Sequence, residues 1–131
     1  MIVADASILV EALCGGGSRA DHIRDRISDA PQLHVPHVAD LEITKAFRRL
    51  SARGLLGEGL ATSAIAQLRR LPLTRYPHVP FLDRIWELRS AITPYDAAYV
   101  ALAEAVGVPL ITLDARLASA PGLVCRVEVI A

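Results

Sequence analysis

Four carboxylates are the side chains of this chain best placed to do chemistry: Asp5, Glu42, Asp96 and Asp114. Asp5 closes the apolar run Met1 to Ala4, and Asp114 closes the run Val108 to Leu113. Asp96 opens a nearly all-apolar helical stretch, while Glu42 lies in the first half of an amphipathic one. Gathered at one place, such groups form an all-oxygen site of the kind that hard divalent cations favour. Each also has an ordinary structural use. Asp5 and Asp114 can cap the helices that follow them, Asp96 stands three residues after Thr93 as in a capping box, and Glu42 can pair with Lys45. Singly, these uses are at least as good an explanation as a site. Jointly they are weaker, because three caps and a surface pair do not require all four groups to meet at one edge.

The apolar pattern supplies the elements that must position them. After Asp5, the positions Ile8, Leu9, Ala12 and Leu13 have helical spacing, and Cys14-Gly15-Gly16-Gly17-Ser18 interrupts it. A polar helix from about Arg19 to Ser28 and a strand at Leu33 to Val35 follow. Pro36 suits the start of the next helix, whose face Ala39, Ile43, Phe47 and Leu50 ends at Gly54. Beyond it the pattern predicts a helix from about Glu58 to Leu71, a strand within Pro72 to Tyr76, and a helix from Pro80 carrying Leu82, Ile85, Trp86 and Leu88. Thr93-Pro94 opens a helix to Val106 capped by Gly107, then Val108 to Leu113 is a strand, and a short helix precedes a last strand at Val124 to Val129. Alternating strands and helices with apolar strands imply an α/β fold with a parallel sheet covered on both faces. Ligand sites in such sheets lie beyond the carboxyl ends of the strands, where Asp5 and Asp114 fall.

Composition narrows the function. The 131 residues fit one domain, 1–131, with no internal repeat or dividing linker. With 14 basic residues against 14 acidic, global charge argues against a strong polyanion binder or a membrane-surface protein, so any nucleic-acid contact must be local. The longest apolar run, Ala97 to Ala103, is far short of the roughly 20 residues that cross a bilayer. No secretion signal is visible, and Cys14 and Cys125 lie far apart, so a cytoplasmic location with free thiols is expected. An apolar content of 53% is high for so small a domain, which predicts that another chain covers part of the surface.

Asp5-Ala6-Ser7 closing the first strand, Leu41-Glu42-Ile43, Tyr95-Asp96-Ala97-Ala98-Tyr99-Val100-Ala101-Leu102-Ala103-Glu104, and Thr112-Leu113-Asp114 together resemble the PIN domain family, most of all the VapC toxins of bacterial toxin–antitoxin pairs. The likeness runs from Met1 to about Val129, and the third and fourth motifs at this separation are its specific part. It implies a three-layer α/β/α fold with a central, mainly parallel, five-stranded sheet. It also implies a metal-dependent endoribonuclease in which Asp5, Glu42, Asp96 and Asp114 hold Mg²⁺ or Mn²⁺, leaving 5′-phosphate and 3′-hydroxyl ends. Ser7 and Thr112 match hydroxyl positions of the pattern and are expected to orient a carboxylate or a water. RNA as substrate, a VapB-like antitoxin as partner and a homodimer belong to the same implication. Helical periodicity does not choose between Asp40 and Glu42, both about 80° from the middle of the apolar stripe. The family motif selects Glu42 and leaves Asp40 in reserve.

Other signals carry less. Gly15-Gly16-Gly17-Ser18 lacks the Lys-Ser/Thr ending of a phosphate loop and reads as a flexible connection near the site mouth. His34 and His37 lack the further ligands of a zinc set. Trp86, at helical spacing with Leu82 and Ile85, reads as core. The arginines at 48, 49, 53, 69 and 70 could track an RNA backbone but read slightly better as solvated helix faces, whereas Arg84, Arg89 and Arg116 are nearer the acidic segments and are the better candidates for phosphate contacts. Two rival readings remain: a catalytically silent PIN-like module binding RNA or protein, and a phosphatase or receiver domain. Against the latter, Asp5-Ala6-Ser7 lacks the second Asp of the phosphatase motif, and no strand-end Lys is present.

Overall fold

Short apolar runs that alternate with helical periodicity become five strands. The computed structural model describes residues 1–131 and contains β1 (Ile2–Ala4), β2 (Leu33–Pro36), β3 (Leu73–Tyr76), β4 (Leu110–Thr112) and β5 (Val127–Val129). All pair in parallel in the order β3-β2-β1-β4-β5. The three middle strands are buried throughout, as expected of a sheet covered on both sides, and the edge strands β3 and β5 are partly open.

Seven helices connect them: α1 (Ala6–Cys14), α2 (Ser18–Ser28), α3 (Val38–Ala52), α4 (Glu58–Arg70), α5 (Leu82–Glu87), α6 (Pro94–Val106) and α7 (Ala115–Ala118). A 3-10 turn at Val79–Phe81 leads into α5. Right-handed crossovers from β1 to β2 to β3 run one way along the sheet, and those from β3 to β4 to β5 run the other. They therefore put α1 to α4 on one face and α5 to α7 on the opposite one. Helix α1 packs against α2, α3 and α4, while α6 lies on β1, β2 and β4 with α5 against it. Every residue of α6 from Ala97 to Ala103 is buried, and its four alanines let the helix sit close to the strands. No helix is long and apolar enough to cross a membrane.

The order reverses between β1 and β4, which opens the crevice where sites of such sheets form. Register sets Val3 beside Leu110 and Ala4 beside Ile111, and the Asp5 N–H donates to the Ile111 carbonyl at 3.1 Å. Three local expectations need correction. Pro36 closes β2 rather than opening α3, which starts at Val38. The glycine run is not at the site mouth: it follows the last residue of α1, nine residues from Asp5, so it lies about 13 Å along the helix from Asp5. Trp86 is not core. Helix α5 turns Ile85 inward, Leu88 just after its end is buried, and the indole, a third of a turn away from Ile85, is 67% exposed.

Candidate active site

Asp5 is the fixed point of the site. It is buried, its Oδ1 caps α1 through the Ile8 N–H at 3.2 Å, and two hydroxyls hold it. Ser7 Oγ donates to Oδ1 at 2.5 Å and Thr112 Oγ1 donates to Oδ2 at 2.5 Å. The same hydroxyls accept backbone donors from the end of β4: Leu113 N–H to Ser7 Oγ at 3.3 Å and Asp114 N–H to Thr112 Oγ1 at 3.0 Å. Ser7 and Thr112 thus tie Asp5 to the exit of the neighbouring strand and fix its orientation. Burial nevertheless outweighs these donors and raises the Asp5 pKa.

Asp96 arrives from the opposite layer. Thr93 caps α6 by accepting the Asp96 N–H at 3.1 Å, which sets Asp96 in the first turn at the strand ends. Its pKa is raised by burial first, then by the charge of Asp5 and, after the opposing Thr93 hydroxyl, that of Asp114. Glu42 reaches the same field from α3. Burial raises its pKa, the Tyr99 hydroxyl opposes that, and Asp96 and Asp5 push it up further. Three carboxylates from three separate segments therefore repel one another across the crevice. Asp114 differs. It caps α7 through the Arg116 N–H at 2.9 Å and holds the Arg116 guanidinium at 3.2 and 3.4 Å, contacts that pull its pKa down.

The caps and the cluster, which are alternatives in the sequence, are here both true: Asp5 and Asp114 each cap a helix and belong to the acidic edge. The reserve candidate Asp40 does not. It is engaged by Arg75 of β3, Nε to Oδ2 at 2.8 Å and Nη2 to Oδ1 at 3.1 Å. Glu42 has no ion pair with Lys45; its partner is Tyr99, whose hydroxyl donates to Oε1 at 2.8 Å. Tyr99 is the site residue that reading the sequence missed. Its signal was its position three residues after Asp96, on the same face of α6.

The arginines separate. Arg84 lies elsewhere: it forks onto Glu104 at 2.7 and 3.0 Å and donates to the Gly122 carbonyl at 2.7 Å. Glu104 is eight residues after Asp96, about 12 Å along α6, so Arg84 locks the far end of that helix to the loop before β5. Arg89 and Arg116 do border the acidic edge, lining with Asp96 and Asp114 a cleft of about 510 Å³. A second depression of about 450 Å³ lies on the Glu42 side, among Val38, Leu41, Lys45, Arg49 and Tyr95.

In this arrangement no three acidic, His or Cys side chains ring a common point at ligating distance. Asp114 faces Arg116 and Glu42 faces Tyr99, so closing around an ion takes rotation of these side chains. The donor set fits a hard cation all the same: the ligands are all oxygen, and Asp5, Glu42 and Asp96 carry the mutual repulsion that a divalent charge offsets.

A parallel five-stranded sheet carries an acidic crevice at its switch point, and the model of the PIN domain family matches residues 2–123. The chain belongs to the PIN domain family. It is 43% identical over 130 residues to the VapC ribonuclease Mb0985 of Mycobacterium bovis, covering 99% of this chain and 98% of that one. Among solved structures it is similar to VapC20 of Mycobacterium tuberculosis, described as a toxin cleaving the sarcin–ricin loop, with a TM-score of 0.71 at 17% identity over 95% of this chain and 97% of that one. It also resembles VapBC2 of Rickettsia felis, solved bound to promoter DNA, with a TM-score of 0.70 at 14% identity over 98% of this chain and 99% of that one.

Proposed function

We propose that this chain is the toxin of a toxin–antitoxin pair, an endoribonuclease that hydrolyses RNA phosphodiester bonds with Mg²⁺ or Mn²⁺ held by Asp5, Glu42, Asp96 and Asp114. The observation that carries the reading is the placement of Asp5, Glu42 and Asp96, three carboxylates from separate segments, at the switch point of the sheet, with Thr112 fixing the first and Tyr99 the second. Full-length similarity to a protein named as a ribonuclease supports it. When bound, the ion supplies Lewis acidity and a water of lowered pKa. The chain's own residues do the rest. Ser7 and Thr112 hold both oxygens of Asp5 in one orientation, and Tyr99 holds Glu42. Arg116 and Arg89 stand on the cleft wall, where a phosphate backbone passing the carboxylates meets guanidinium groups.

An antitoxin and a second copy of the chain are the expected partners. Leu41, Leu55 and Leu60 are each more than two-thirds exposed, which supports coverage by another chain. The decisive experiment incubates purified protein with RNA in Mg²⁺ or Mn²⁺ and sequences the new 5′ ends. Cleavage is expected, abolished by EDTA and by Asp5→Asn. Undiminished cleavage in excess EDTA would falsify the metal mechanism, and RNA binding without any cleavage would identify a silent binding module instead.

A further inference from the structure

The carboxylate edge has a second cationic flank, on the Glu42 side. The depression of about 450 Å³ there is lined on α3 by Lys45 and Arg49 as well as by Glu42 itself. It meets the Arg89 and Arg116 cleft across the opening turn of α6, where Pro94 and Asp96 line the one and Tyr95 the other. Both basic side chains are exposed, and neither pairs with a carboxylate. Elsewhere the chain does pair several of its arginines: Arg26 with Glu128, Arg75 with Asp40, and Arg84 with Glu104. Lys45 is felt at the site, for burial raises the Glu42 pKa and the Lys45 charge is among the influences opposing it. Positions 42, 45 and 49 share one face of α3, with Lys45 about 4.5 Å and Arg49 about 10.5 Å beyond Glu42 along the axis. The two cations form a short row leading away from the carboxylates.

We propose that Lys45 and Arg49 bind successive backbone phosphates of the RNA on the Glu42 side of the scissile bond, so that the strand crosses the carboxylates between two cationic flanks. The inference rests on the ribonuclease reading above and adds to it two substrate contacts and a path for the strand. Contacts of this kind fix where a strand lies without reading its bases, because every nucleotide carries the same phosphate. A cluster of carboxylates repels that phosphate, and cations set on either side hold the strand across it. The spacing of about 6 Å between Lys45 and Arg49 along α3 suits neighbouring phosphates of one extended strand. Leu41, 72% exposed among the lining residues, makes a second protein chain the competing occupant. Charge favours the nucleic acid: a protein face seated there buries two cations that meet no carboxylate of this chain except Glu42.

Salt dependence reads phosphate contacts directly. The full-length Asp96→Asn protein, expected not to cleave, is titrated with a labelled single-stranded RNA oligonucleotide of mixed sequence over a series of KCl concentrations. Adding Lys45→Gln and Arg49→Gln together is expected to weaken binding about tenfold and to lower the slope of log affinity against log salt by about 1.4, or about 0.7 for each lost contact. Arg126→Gln removes the same charge from an exposed arginine just before β5, at the end of the sheet opposite the carboxylates, and is expected to leave the slope unchanged. In otherwise wild-type protein with Mg²⁺, the double substitution is expected to raise KM and spare kcat, and Lys45→Arg with Arg49→Lys to keep KM near wild type. Both side chains are exposed, so the fold is expected to hold, and each single substitution to give half the change in slope. If wild type cleaves while the double variant matches its slope and KM, the path is refuted and the nuclease reading stands. An equal loss of slope in Arg126→Gln reduces the effect to net charge and refutes the path too. Unchanged RNA binding with weakened self-association assigns the depression to a protein interface and refutes it equally. A wild-type chain that neither binds nor cleaves RNA sinks both readings.

Discussion

At Asp5 two influences oppose each other. Burial raises its pKa, and the hydroxyls of Ser7 and Thr112 lower it. Thr112→Val keeps the shape of a buried side chain and removes one donor, so burial acts with less opposition and the pKa rises further. A hydrogen bond to a charged group contributes about 1.5–3 kcal/mol, so the loss in cleavage is on the order of tenfold or more where Asp5 becomes protonated. The acid limb of the cleavage profile is expected to move to higher pH while the alkaline side stays put. A limb that does not move would remove Thr112 from any orienting role. Asp96 is the second test at this scale. Its raised folded pKa means that, between the ordinary carboxylate value and the raised one, the native chain holds more protons than the unfolded chain. Stability therefore falls as pH rises through that window, and the full penalty is present above the raised value. Asp96→Asn removes it, so this variant is expected to melt a few degrees above wild type in EDTA at pH 7 while losing cleavage. A lower melting temperature would mean that Asp96 serves mainly as part of the α6 cap.

Helix α3 shows how one element serves two purposes with residues two apart. Asp40 ties the helix to β3 through Arg75, and Glu42 faces Tyr99 and the carboxylates. Asp40→Asn loosens a partly exposed ion pair, worth at most about 1 kcal/mol, and is expected to leave cleavage intact. Glu42→Gln keeps the fold and is expected to reduce cleavage by on the order of a hundredfold or more. Equal effects of the two substitutions in a cleavage assay would mean that the helix is turned otherwise. At the far end of α1, Arg24 closes the helix by donating to the Ala12 and Gly15 carbonyls at 3.0 and 2.5 Å. Gly15 is required there, because a Cβ would meet the Glu11 carbonyl oxygen at 2.5 Å, whereas one on Gly16 meets nothing within 4 Å. Denaturant melts of Gly15→Ala are expected to show a loss of about 1–3 kcal/mol, against little change for Gly16→Ala. A tolerated Gly15→Ala would show that the α1–α2 connection repacks freely.

A neutral net charge conceals one local concentration of charge, where Asp96 and Asp114 share a cleft with Arg89 and Arg116. Assembling Asp5, Glu42 and Asp96 costs stability in the folded chain alone, because the unfolded chain disperses them. A divalent cation bound there would reverse that balance by mass action, adding about 1.4 kcal/mol for each tenfold excess over its dissociation constant. Millimolar Mg²⁺ or Mn²⁺ is thus expected to raise the wild-type melting temperature at pH 7, by several degrees for a domain of this size, and to raise that of Asp96→Asn far less. Indifference of the wild type to both ions would sink the converging-carboxylate arrangement. Asp114 sets a limit on that effect. Paired with Arg116, it carries a lowered pKa, so it contributes stability above the ordinary carboxylate range that is lost as pH falls through its folded value.

The order of elements and the parallel α/β class were legible in the sequence, because the information for each is contiguous, while the four acidic positions were selected by their likeness to the family motif. Apolar periodicity marks a strand or helix within a dozen residues, and Thr93-Pro94 with Gly107 bracket α6 on either side. Relations between segments were not legible. Thr112 reaches Asp5 across 107 positions and Tyr99 reaches Glu42 across 57. The same holds for the choice of Glu42 over Asp40 by geometry, the capture of Arg84 by Glu104, and the exposure of Trp86. Each depends on which face a helix turns toward a neighbour brought from far along the chain. A helical residue only 100° from its neighbour can belong to the core, the surface or the site, and local pattern weighs these almost equally. Packing against the sheet breaks the tie, since burying one face of α3, α5 and α6 against the strands leaves every other residue of those helices a single direction in which to point.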